Sequence, residues 1–375
     1  MRCDYFDAGL CRSCTLMGTP YPEQLAGKLA HARALLADWP EARWLEPVAS
    51  EPEAFRTKAK MVVGGTVDAP TLGILGPDRS GVDLRDCGVI APGIRAAFAP
   101  LAAFVGRARI APYDVGARRG ELKHLVLLEA PDGALMVRFV LRSREAESRI
   151  RAQLPWLLRT LPAARVVSIN LQPEHKAVIE GEEELVLTAA HTLPLRLERG
   201  TLAVRPGSFV QTNTAVATAL YRQAGLWARR LAPTSVWDLY CGSGGFALHV
   251  AGPGRRVVGV ELSAAAVEGA RAVAPAGCEF VEADATEFAE RADPAERPEL
   301  VIVNPPRRGL GTRLAAWLED HGPAAVLYSS CNAVSLERDL RAMPSYRPGQ
   351  LRLFDMFPQT EHYEIAALLL RTPAR

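Results

Sequence analysis

Several groups of residues in the 375-residue chain have types and spacings suited to chemistry. The first is Asp238-Leu-Tyr240-Cys241-Gly242-Ser-Gly244-Gly245-Phe246, where an apolar run breaks into a glycine-rich turn and resumes with helical spacing as far as Val250. Glycines at a strand-to-helix turn let a ligand approach the backbone, and the helix start adds free N–H groups. The motif fits a dinucleotide site as well as a methyl-donor site, and it also fits a tight turn with no ligand. Glu261 ends the next apolar run, where a carboxylate can accept ribose hydroxyls in either kind of site. Asp284 follows a later run and suits either an adenine amino group or a helix cap.

Asn304-Pro305-Pro306-Arg307-Arg308-Gly309 narrows the choice. Two prolines make a stiff, extended turn that fixes polar groups beside a reacting methyl, a device a dehydrogenase does not need there. Ser329-Ser330-Cys331-Asn332 places a thiol in a polar turn at the end of a strand, which makes Cys331 a candidate nucleophile. A lone buried cysteine is more often a small hydrophobe, but the flanking serines and asparagine weigh against that here. His362-Tyr363-Glu364 supplies an acid that can face Cys331. Separately, Cys3, Cys11 and Cys14 crowd the N-terminus and Cys87 follows after a long gap. Four thiolates suit a tetrahedral zinc or a cubane iron–sulfur cluster, and spacing alone does not separate the two.

The elements that must position these residues fall into two textures. Residues from about 122 to 190 read as strands, with a hairpin turn at Pro131-Asp132-Gly133. A helical pattern with Leu25, Leu29, Ala32 and Leu36 on one face precedes them, and Lys58 and Lys60 give one strand a cationic face. After residue 200, strands alternate with helices to the end, the signature of a doubly wound parallel sheet. Ligands of such a sheet sit beyond the carboxyl ends of the strands, where Glu261, Asn304 and Cys331 fall. The last strand, Tyr363 to Arg371, follows too closely for a crossover helix and is expected to run antiparallel. A net charge of +2 excludes a globally basic surface, so nucleic acid would have to be held by local patches. The longest apolar runs fall short of a membrane span and the N-terminus has no signal pattern, so a cytoplasmic protein is expected. Seven cysteines in such a chain argue for metal or catalysis rather than disulfides.

A thiol, a carboxylate and a methyl donor at one sheet edge form a coherent reaction. Carbon 5 of uracil is a poor nucleophile until a thiolate adds at carbon 6. Cys331 suits the addition, and Glu364 suits removal of the carbon 5 proton that lets the thiolate leave.

At this point the chain resembles the bacterial iron–sulfur, S-adenosylmethionine-dependent RNA uracil-C5 methyltransferases. The resemblance rests on the cysteine quartet, Ser208-Phe-Val-Gln211-Thr-Asn213, the glycine turn, Asn304-Pro-Pro-Arg-Arg-Gly309, Ser330-Cys331-Asn332, Asp355-Met-Phe-Pro358 and His362-Tyr-Glu364. It implies an α/β chain. Residues 201–375 would form a class I methyltransferase domain with a doubly wound sheet of seven strands, the last antiparallel. Residues 1–200 would form an α+β region that carries the four-cysteine site and binds RNA. It further implies that Cys3, Cys11, Cys14 and Cys87 hold a [4Fe-4S] cluster. Methyl-donor contacts are implied from Gln211, Tyr240, Gly242, Gly244, Glu261, Asp284 and Asn304. Many relatives have an acidic residue and one proline where Asn304-Pro-Pro stands here, and many carry an N-terminal oligonucleotide-binding barrel. Both departures point to the shorter, RlmC-type subgroup that acts on 23S ribosomal RNA, as a monomer with no membrane partner. A transfer-RNA target and an amino-group methyltransferase built on Asn304-Pro-Pro are the alternatives.

Overall fold

The computed structural model describes residues 1–372. The chain begins with a one-turn helix α1 (Asp4–Asp7), a helix α2 (Tyr21–Leu35) and a very short strand β1 (Arg43–Trp44). The first sheet then forms from β2 (Lys58–Gly65), β3 (Pro70–Leu75), β4 (Gly81–Asp83), β5 (Leu122–Glu129), β6 (Leu135–Leu141), β7 (Ala164–Leu171) and β8 (Glu183–Val186). Helices α3 (Pro92–Arg107) and α4 (Glu147–Thr160) cover one face of it. Its seven strands lie in the order β4-β3-β2-β5-β6-β7-β8, and only β6 and β7, joined through α4, are parallel. The expected hairpin joins β5 to β6, with Gly133 in the turn at positive φ.

A ribbon of β9 (Leu193–Leu197) and β10 (Gly200–Val204) bridges to the second half. Its inward residues Leu193, Leu195, Leu202 and Val204 share a small core with Leu128, Met136 and Val166 of the first sheet. Next come α5 (Thr214–Leu231), β11 (Ser235–Leu239), α6 (Gly245–Val250), β12 (Arg256–Glu261), α7 (Ala264–Ala272), β13 (Cys278–Glu282) and α8 (Ala285–Arg291). They are followed by β14 (Leu300–Val303), α9 (Gly311–His321), β15 (Ala325–Ser330), α10 (Ala333–Ala342), β16 (Tyr346–Phe354) and β17 (Glu364–Arg371). The sheet order β16-β17-β15-β14-β11-β12-β13 reverses between β11 and β14, where a doubly wound sheet opens its crevice. Strand β17 is antiparallel to both neighbours. Every residue of β14 is buried, because helices cover both faces of the sheet.

Among the described residues the second sheet holds eight strands, not the seven expected. The extra strand is β1, which pairs parallel to β16 at the edge through Arg43 with Gln350 and Trp44 with Leu351. A two-residue strand shows no alternation, so its sequence carries no signal. Helix α2 joins the same layer: its apolar stripe puts Ala32 and Leu36 in a core with α9 and α10. Beside that stripe, one turn before Ala32, α2 carries a buried ion pair across 2.7 Å between Lys28 Nζ and Asp355 Oδ1. Burial pulls the Lys28 pKa down and Asp355 opposes that shift. The two halves also meet where the Thr57 N–H donates to the Thr212 carbonyl (2.7 Å) and Lys58 Nζ to the Ser208 carbonyl (3.3 Å). Among the described residues no helix is long and apolar enough to cross a membrane.

Removing one partner of a buried pair strands the other charge. Lys28→Met is expected to lower unfolding stability by about 3–5 kcal/mol, and Lys28→Met with Asp355→Leu to recover most of it. Denaturant unfolding of the full chain measures both. A loss in the single variant below about 1 kcal/mol, the size of a surface pair, would contradict the burial argument.

Candidate active site

Strand alternation puts the candidate residues on one face. In β11, Val236 faces the core beneath α5 and α6, so Asp238 does too. The same parity carries from Val257 to Glu261, from Leu300 and Ile302 to Asn304, and from Ala325 and Leu327 to Ser329 and Cys331. In β17 it carries from Leu368 and Ala366 to Glu364. Pairing of Ser330 with Ile365 then sets the end of β15 beside the start of β17.

Glu364 is 1 % exposed, and Ser329 Oγ donates to its Oε1 across 2.5 Å. Burial pushes its carboxyl up to about 7, and the Ser329 hydroxyl only partly offsets this. Cys331 is half-buried; burial and then the Glu364 charge push its thiol up, while the Arg307 guanidinium draws it down. Asn332 caps α10 by accepting from the Val334 N–H, and its Nδ2 donates to the Arg307 carbonyl (3.1 Å). Asp339 Oδ2 accepts from the Tyr328 hydroxyl and from the Leu310 N–H, each at 2.7 Å. The Asn304–Gly309 turn is thereby fastened to the Cys331 turn. Asn304 itself sits half-buried at the mouth of the crevice between β11 and β14, its N–H directed at the Leu239 carbonyl.

The glycine turn is held by Glu261. Its Oε2 accepts from the Gly242 N–H (3.1 Å) and its Oε1 from the Ser263 N–H (2.9 Å). Gly242 and Gly244 have φ of 54° and 87°, and a Cβ built on Gly245 would lie 2.4 Å from the Tyr221 ring. The helix that follows, α6, has only six residues, so the turn and Glu261 form the cradle more than a helix dipole does. Gln211 is buried in a segment whose Phe209 carbonyl approaches Gly242. Tyr240 departs from the alternation. With φ of 63° its ring swings to the opposite face, beside Thr286 and Asp284. Asp284 is exposed and caps α8 through Oδ1, which accepts from the N–H groups of Thr286 and Glu287. Cys241 is buried with its thiol held far up by desolvation, which fits a packing role.

Three contributors were not singled out from the sequence. Ser329 holds the Glu364 carboxylate. Asp238 is fully buried, accepts from the Ala247 N–H through Oδ2, leaves Oδ1 without a partner, and is pushed by burial up to about 8. Tyr221 on α5 lies over Gly245 near both acids. The signal for Ser329 and Asp238 was the two-residue period of their own strands.

Cys3, Cys11, Cys14 and Cys87, all unpaired, line one cavity of about 140 Å³ together with Arg56, Pro358 and Thr360. Burial and the neighbouring thiols push Cys14 up to about 11, and burial raises Cys87 as well. Among the described residues no three histidine, cysteine or acidic side chains converge tightly enough for a single ion. On the strand expected to be cationic, Lys58 makes the bond above and Lys60, still exposed, pairs with Glu180.

Residues 296–372 match the family model described as tRNA (Uracil-5-)-methyltransferase. The chain is 46% identical over 376 aligned residues, 99% of this chain and 100% of the relative, to the 23S rRNA (uracil(747)-C(5))-methyltransferase RlmC of Serratia proteamaculans. A relative of the same name from Escherichia coli is 45% identical over the same shares. Among solved structures, the Pyrococcus abyssi tRNA (uracil-54, C5)-methyltransferase in complex with S-adenosyl-L-homocysteine superposes with a TM-score of 0.79 at 26% identity. That match covers 96% of this chain and 85% of the other.

A carboxyl whose pKa is higher folded than unfolded holds its proton more tightly when folded. That contribution is complete below the ordinary value of 4.5 and is lost as pH rises through about 7. Glu364→Gln is therefore expected to stabilise the fold at pH 8 by on the order of 3 kcal/mol and to do little at pH 4. Urea unfolding at the two pH values checks this, and an equal effect at both would refute the burial penalty.

Proposed function

The chain belongs to the RlmC family of 23S rRNA (uracil-C5)-methyltransferases, and from that premise we propose that it methylates carbon 5 of a uridine in 23S ribosomal RNA through a covalent adduct on Cys331. The observation that carries the reading is the meeting of Cys331, Ser329 and Glu364 at the adjoining ends of β15 and β17.

The Cys331 thiolate adds to carbon 6, and the electron pair of the ring double bond moves into the carbon 5 enolate. Carbon 5 then takes the methyl of S-adenosylmethionine, whose sulfonium leaves as a neutral thioether. The Glu364 carboxylate removes the carbon 5 proton, the double bond re-forms, and the carbon 6–sulfur bond breaks to return the thiolate. Arg307 supports the thiolate, and the Ser329 hydroxyl keeps Glu364 aimed. A carboxyl poised near neutrality suits a proton acceptor at physiological pH. Gln211, Tyr240, Gly242, Gly244, Glu261, Asp284 and Asn304 are assigned to the methyl donor. The half-buried Glu261, tied to the glycine turn, and the Tyr240–Asp284 corner support ribose and adenine contacts respectively. The target uridine must leave its stack to reach Cys331, which favours a loop. A cytoplasmic monomer belongs to the same reading, with residues 1–200 contributing RNA contacts and residues 201–375 the chemistry.

We further assign a [4Fe-4S] cluster to Cys3, Cys11, Cys14 and Cys87. Four thiols around one cavity supply the ligand set of a cubane cluster. Arg56 on the cavity wall has a buried Nε with no partner, a fitting neighbour for an anionic cluster. Bound there, the cluster supplies a rigid cross-link, and the thiols would give up their protons on binding it.

Two tests follow. Cys331→Ala should abolish methylation and adduct. Glu364→Gln should accumulate the methylated RNA adduct on denaturing gels, and turnover of the native chain should climb between pH 6 and 8 as the Glu364 carboxyl ionises. Methylation surviving Cys331→Ala would sink the adduct mechanism and favour an amino-group reaction. Protein prepared without oxygen should carry about four irons and be brown, and Cys87→Ser should be colourless. One zinc in place of iron would overturn the cluster assignment.

A further inference from the structure

Helix α2 carries an apolar stripe into the core, and beside it runs a second stripe of polar residues: Tyr21, Gln24, Lys28 and His31, spaced three and four apart. Each of these lies against one segment, Asp355 to Tyr363, which ends at Glu364. Lys28 Nζ donates to Asp355 Oδ1 (2.7 Å) and to the Phe357 carbonyl (3.0 Å). Gln24 and Gln359, both 3 % exposed, form a reciprocal pair. Gln24 Nε2 donates to Gln359 Oε1 (3.0 Å), and the Gln359 N–H donates to Gln24 Oε1 (2.9 Å). Gln359 has a φ of 66°, a conformation a non-glycine residue keeps only when its surroundings hold it. One turn further on, His31 Nδ1 and the Tyr363 hydroxyl share a hydrogen bond of 2.6 Å.

The segment thus enters β17 under side-chain control at Asp355, Gln359 and Tyr363, the last of these adjacent to Glu364. A carboxylate that must meet a carbon 5 proton in one orientation loses rate steeply when displaced by even an ångström. We infer that the polar stripe of α2, Gln24, Lys28 and His31, is the positioning element for the catalytic base Glu364. They act through the Asp355–Tyr363 segment, the part of the chain they bond. The inference rests on the reading of Glu364 as the base.

The adduct separates positioning from general damage. Addition and methyl transfer precede the step that uses Glu364, so a displaced base slows only the breakdown of the methylated adduct. In single-turnover reactions of the full-length holoprotein with an RNA fragment containing the target uridine, Gln24→Ala and His31→Phe should form adduct within about twofold of the native rate. They should release product about 10- to 100-fold more slowly, so that adduct accumulates as with Glu364→Gln. Equal slowing of both steps would reduce the stripe to a structural role and overturn the inference, as would native release in both variants. If Gln24→Ala does not fold, His31→Phe and Tyr363→Phe, which remove one exposed-side bond from either end, decide the matter by the same readout. Failure of Glu364→Gln itself to accumulate adduct would strike the reading of the base and leave the stripe's geometry untouched.

Discussion

The site depends on one constraint, the desolvation of the Glu364 carboxyl. The residue sits at the first position of β17, covered by α5 on one face and flanked by β15 and β16, with Ser329 donating to its carboxylate. Water would return its pKa to the ordinary carboxylate range and leave a weaker base. The antiparallel insertion of β17 between β15 and β16 is therefore more than a topological detail. It brings the start of one strand to the ends of the others, so that an acid and a thiol from distant parts of the chain share one crevice. Asp238, buried nearby with an unpartnered oxygen, adds to the polarity that this crevice must hold out of water. Such costs are what a fold bears at a working site, offset by the wide apolar cores on either face of the sheet.

Much of this was legible in the sequence, for a physical reason. A buried parallel sheet writes continuous apolar runs, and ligand-facing residues interrupt those runs at their carboxyl ends. Glu261, Asn304, Cys331 and Glu364 could be placed in that way. Other features left no such mark. Strand β1 is too short for any period. The partners of Glu364 and Gln359, Ser329 and Gln24, are ordinary polar residues whose roles exist only in three dimensions. Helix α2 was readable from the apolar stripe of Leu25, Leu29, Ala32 and Leu36, but its polar stripe left no mark, because sequence does not say that a lysine and a glutamine there are buried. Lys58 and Lys60 read as a cationic strand face, and the fold gives them partners the sequence did not show, the Ser208 carbonyl and Glu180. Tyr240 kept its place in the motif, but its positive φ turned the ring to the face opposite the one its strand period implied.

The two halves of the chain then have a reason to be one protein. In the proposed reaction an electron pair leaves sulfur, passes through the uracil ring and returns, and nothing is oxidised or reduced. A cluster proposed on the four N-terminal cysteines would exchange no electron in that reaction, and its proposed contribution is structural. The cavity those thiols line is closed on one side by Pro358 and Thr360, from the same segment that delivers Glu364. Between those two residues, the Gln359 carbonyl accepts from the Leu16 N–H, two residues after Cys14, and Gln24 bonds to the carbonyls of Leu16 and Thr19. The cysteine module, the polar stripe of α2 and the approach to β17 are thus a single hydrogen-bonded body. In the proposed reading, a cluster cross-linking the module would stiffen the far end of that body and with it the approach to Glu364, the proposed base.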